Sequence, residues 1–93
     1  MTNATTEKVE LSIYFNSNGS VIGKDWGSAP QPDLEAQLIQ ATTTFLKDNC
    51  QEDNSDTYTA YLEQEEEGFL LTVEGYRDGE EDPEYEVEGV ISL

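Results

Sequence analysis

Three glutamates, Glu84, Glu86 and Glu88, stand at every second position near the end of the sequence. Extended backbone sends alternate residues to one face, roughly 6.6–6.8 Å apart, so this spacing predicts a straight ladder of carboxylates. Glu74 and Glu63 lie in stretches with the same alternation. With neighbouring strands about 4.8 Å apart, they would widen the ladder into a patch. All these separations fall inside the ~8 Å Debye length of physiological salt, so the charges act on an approaching surface as one field. Tyr14, Tyr61 and Tyr76 fall on the polar side of their own alternating stretches. A guanidinium can stack on such a ring while pairing with a neighbouring carboxylate. Glutamates also keep exposed strands soluble and discourage edge pairing, and tyrosines pack across strands. A face built only for solubility, however, mixes both signs of charge, and here almost no lysine or arginine interleaves the acids.

Two acidic segments flank these stretches, Glu52-Asp53-Asn54-Ser55-Asp56 and Asp78-Gly79-Glu80-Glu81-Asp82-Pro83-Glu84. Calcium takes six to eight oxygen ligands, and both segments offer carboxylates and backbone carbonyls. Neither follows the twelve-residue helix-loop-helix order of ligands. A weak divalent-cation site is the expectation here, and calcium sequestration the alternative reading of the chain.

Composition removes other chemistries. The 93 residues contain 21 Asp and Glu against four Lys and Arg, a formal net charge of -17. Such an excess repels nucleic acid and anionic membranes and favours basic protein surfaces. There is no histidine, which rules out His-based nucleophile systems and His-ligated metals. Cys50 is the only cysteine, and Asp48, Glu52 and Asp53 around it would raise its pKa and leave it inert. Paired carboxylates serve as acid and base only in a cleft that separates their pKa values. A chain with one small core has little room to enclose one, so neither an enzyme nor a cofactor is expected.

The elements that must position these groups follow from the hydrophobic pattern. Val9, Leu11, Ile13 and Phe15 alternate with Glu10, Ser12 and Tyr14, the period of a half-buried strand. Asn18-Gly19 then signals a tight turn into a second strand through Val21, Ile22 and Trp26. Pro32 and Asp33 open a helix running to Asn49, with Leu34, Leu38, Ala41, Phe45 and Leu46 on one stripe. Thr57–Gln64, Phe69–Tyr76 and a last strand from Glu84, with Tyr85, Val87 and Ile91 opposite Glu84, Glu86 and Glu88, alternate again. The order ββαβββ with short connections predicts an α+β fold: one largely antiparallel sheet of five strands with the helix on one face. Val9, Leu11, Ile13, Leu38, Phe45, Leu71, Val73 and Val87 are the expected core. Residues 1–93 read as a single acidic domain, 1–7 a loose lead-in. No stretch is long and apolar enough to span a membrane and the start lacks a signal-peptide pattern, so cytoplasmic residence is expected.

In size, charge, glutamate ladder and acidic loops the chain resembles the small acidic inhibitors of phages and mobile elements, the anti-CRISPR, anti-restriction and other DNA-mimic proteins. The resemblance is one of class and rests on no diagnostic motif. It implies a partner: a basic nucleic-acid-binding protein, such as a nuclease or CRISPR effector, whose nucleic-acid channel the acidic surface would fill. Glu63, Glu74, Glu84, Glu86 and Glu88, with Tyr61 and Tyr76, are the expected contact residues, joined by Asp78, Glu80, Glu81 and Asp82 of the second loop.

Overall fold

A computed structural model describes residues 8–27, 29–49 and 55–92. The elements run β1 (Glu10–Asn16), β2 (Val21–Trp26), α1 (Pro32–Asn49), β3 (Thr57–Glu65), β4 (Gly68–Tyr76) and β5 (Tyr85–Ile91). The five strands form one sheet in the order β2-β1-β3-β4-β5, with every neighbouring pair antiparallel. The α+β architecture expected from the pattern is the one observed. Because β2 lies at an edge and β3 on the far side of β1, α1 must carry the chain across β1. That crossing lays the helix over the apolar face.

The first hairpin differs in detail from a two-residue Asn-Gly turn. Its loop is Ser17-Asn18-Gly19, and Gly19 alone has positive φ, 82°. Asn16 organises the loop: its Oδ1 accepts the amides of Asn18 (2.9 Å) and Ser20 (3.0 Å). Its carbonyl accepts the Gly19 amide at 3.0 Å. A left-handed glycine closing a three-residue loop matches the twist of the strands as well as a two-residue turn does. A bulge between Tyr14 and Phe15 then leaves Ile22 outside the register. The second hairpin is tighter, Glu65 opposing Gly68 across Glu66-Glu67.

The helix carries Asp33 and Glu35 in its first turn and Lys47 in its last, both favourable to its dipole. Glu35 accepts a hydrogen bond from Trp26 Nε1 (3.1 Å) and pairs with Lys24, tying α1 to β2. Ile13, Phe15, Leu38, Ala60, Leu71 and Val73 are fully buried between helix and sheet. Phe45 and Val87 lie at the margin of this core, packed against it and partly buried. Phe45 fits because it lies over Gly89, where a Cβ would come within 2.8 Å of the Phe45 Cζ. Thr42 is buried among these apolar groups, and its Oγ1 has no hydrogen-bond partner among the described residues. Among them, no helix is long and apolar enough to cross a membrane.

A candidate binding face

The helix covers one side of the sheet, and the other side gathers the polar residues. Opposed residues of antiparallel strands share a face, so the register assembles the site row by row. One row reads Gly23, Tyr14, Thr59, Glu74, Glu86 across all five strands. The next reads Asp25, Ser12, Tyr61, Thr72, Glu88. A third sets Glu10 against Glu63, then Leu70 and Val90. Glu63, Glu74, Glu86 and Glu88, with Tyr61 and Tyr76, are therefore brought together on β3, β4 and β5. Pairing also adds Glu10, which alternation along β1 already sets beside Ser12 and Tyr14, and Asp25, which only the register of β2 carries to this face.

Two pairs of glutamates stand directly opposite one another, Glu10 with Glu63 and Glu74 with Glu86. Like charges so placed destabilise a sheet. The first pair has a cation nearby: Lys8 bonds Glu65 at 3.2 Å, and Glu65, then Glu63 and Glu10, raise the Lys8 pKa above its usual value. The second pair has none, for no ion pair involves Glu74 or Glu86 among the described residues. Glu74 instead accepts the Tyr76 hydroxyl at Oε1, 2.9 Å away. That bond to a carboxylate, followed by desolvation, lifts the Tyr76 pKa far above the usual tyrosine value. Tyr61 is raised too, chiefly by desolvation and then by the charge of Glu74.

Glu84 departs from the predicted ladder. It precedes β5, and its carboxylate turns to the Arg77 Nε, at 2.7 and 2.9 Å. It also accepts a hydrogen bond from the buried Ser55 hydroxyl at 3.3 Å. The ladder thus has two open rungs, Glu86 and Glu88, and a third rung whose charge is matched by a cation. Alternation alone could not reveal this, since Arg77 lies across a loop.

Asp78, Glu80, Glu81 and Asp82 are exposed in the loop beyond the end of β4, off the sheet face. The Asp78 amide donates to Asp56 Oδ2 at 2.7 Å, and the Asp56 amide to the Tyr76 carbonyl at 2.8 Å. This fastens the start of β3 to the second acidic loop. Glu52, Asp53, Asn54 and Cys50 lie outside the described residues, as does the 1–7 lead-in. Among the described residues no group of three or more acidic or cysteine side chains is arranged to hold a metal ion. The chain matches no family model, no curated protein and no solved structure.

Proposed function

We propose that this chain is a non-enzymatic cytoplasmic inhibitor whose acidic sheet face stands in for a nucleic-acid backbone. It would occupy the basic groove of a nucleic-acid-binding protein, a defence nuclease of the CRISPR or restriction kind. The observation that carries this reading is the placement of charge. Glu63, Glu74, Glu86 and Glu88 share the face with exposed tyrosines, while the cations stand elsewhere. Lys8 is at the rim, Arg77 in a loop, Lys24 and Lys47 on the helix side. A face that only had to stay solvated would not set Glu74 against Glu86, because that opposition costs stability. A positive partner surface relieves the repulsion on docking, and so converts a cost of the free fold into part of the driving force for association. The Glu86–Glu88 separation, roughly 6.6–6.8 Å along an extended strand, is comparable to that of successive phosphates. The net charge of -17 makes direct contact with nucleic acid or an anionic membrane unfavourable.

The reading is tested by charge reversals of equal size on opposite sides of the molecule. In cells carrying such a defence system, the chain should restore entry of targeted DNA. Glu86→Lys with Glu88→Lys should abolish that protection, whereas Asp33→Lys with Asp48→Lys, on the helix, should largely keep it. Equal losses from the two folded variants would mean that net charge alone matters and that this face has no special role.

A further inference from the structure

We infer that the outer face contains a subsite selective for an arginine side chain, walled by Tyr61, Glu74 and Glu86 and floored by Thr59 and Thr72. The inference rests on the binding reading above, and it specifies which cation the partner must present.

The register places short side chains among long ones. Thr72 lies between Tyr61 and Glu88 across the sheet, and Thr59 between Tyr14 and Glu74. Thr59 is only 9% exposed although it faces away from the helix, whereas Tyr61 and Tyr14 remain 42% and 37% exposed. The rings therefore rise around a shallow floor and still present area to solvent. Tyr61 and Glu74 are diagonal neighbours across β3 and β4, close enough for the carboxylate to act on the tyrosine hydroxyl. The Tyr76 hydroxyl holds Glu74 Oε1, which fixes that carboxylate's orientation. A carboxylate has about four acceptor positions, so the hydroxyls of Tyr76 and Tyr61 still leave Glu74 room for a guanidinium's N–H donors. Glu86 stands opposite, and among the described residues neither carboxylate is ion-paired.

A planar guanidinium satisfies all three walls together. It stacks on the Tyr61 ring, gives parallel N–H bonds to one carboxylate and still has donors for the other. An ammonium is a compact point charge with no plane to stack and no fork to match. Tyr61 should therefore distinguish arginine from lysine, while the glutamates attract both.

The test uses labelled nona-arginine and nona-lysine peptides, equal in length and charge, titrated into the full chain at physiological salt. The arginine peptide should bind about three- to fivefold more tightly, the discrimination an exposed cation–π contact supplies. Tyr61→Ala should bring that ratio near one with little effect on lysine binding, and Tyr61→Phe should preserve it. Tyr61→Leu, which keeps apolar area on the strand, gives the same readout if the alanine variant does not fold. Equal binding of the two peptides by the unmodified chain would overturn the subsite and leave the anionic-face reading standing. Binding of neither peptide would overturn both.

Discussion

Replacing Glu86 by lysine should make the fold more stable. Glu86 and Glu74 are directly opposed on β5 and β4, which puts their Cα atoms about 4.5–5.5 Å apart. Two like charges at ~5 Å in a water-like medium repel by about 0.8 kcal/mol. Changing one sign turns that cost into a similar gain, a swing of about 1.5 kcal/mol. Screening at physiological ionic strength reduces it to about 1 kcal/mol. For a domain of this size each kcal/mol moves Tm by about 4–8 °C, and this is the rise expected for Glu86→Lys. Glu86→Gln should give about half. Thermal melts followed by circular dichroism between low salt and 1 M salt would measure it. The gain should shrink to a degree or two at 1 M, where the Debye length is about 3 Å. A lower Tm, or a gain that ignores salt, would mean that the two carboxylates do not oppose one another and would remove the physical basis for a strained anionic face.

Other perturbations probe the rest of the fold. Thr42→Val removes a buried hydroxyl that lacks a partner and should stabilise by about 1 kcal/mol in denaturant unfolding. Gly89→Ala drives a Cβ into the Phe45 ring and should destabilise by about 1–3 kcal/mol. Phe45→Leu in the same chain should recover part of that loss. Tyr61 and Tyr76 have pKa values raised above the tyrosine value of 10. The folded state therefore holds protons that the unfolded chain loses near pH 10, so their contribution is complete below that pH and falls as pH rises above it. Ultraviolet titration should show two of the tyrosines ionising late, and Glu74→Gln should bring Tyr76 down toward its ordinary value.

Much of this architecture was legible in local pattern. Period-two alternation placed Leu11, Ile13, Ala60, Leu62, Leu71 and Val73 inward and Tyr14, Tyr61 and Glu74 outward, because a strand's two faces follow from backbone geometry alone. The Pro32-Asp33 start and the apolar stripe likewise marked α1. What local pattern could not carry was register. Whether Glu74 meets Glu86 or Glu88 depends on the eight-residue connection from Arg77 to Glu84, whose turn at Gly79 follows no simple periodicity. The same connection diverted Glu84, since Arg77 is seven positions away in sequence and within ion-pair distance in space. Thr42 and Ser55 are small polar residues whose burial is decided by the packing around them, and nothing in their own segments announces it.

The central claim is that the acidic face occupies a site otherwise filled by nucleic acid, and competition at that site tests it most directly. A nuclease or other nucleic-acid-binding protein captured by the chain is purified and loaded with a labelled copy of its own nucleic acid, and the chain is then titrated in. Electrostatic association of this kind should weaken steeply with salt. The account predicts mutual displacement, with the label released as the chain binds and the chain released by excess nucleic acid, and with displacement lost in the Glu86→Lys, Glu88→Lys variant. A stable ternary complex, in which the partner holds its nucleic acid with undiminished affinity while the chain is bound, would contradict it.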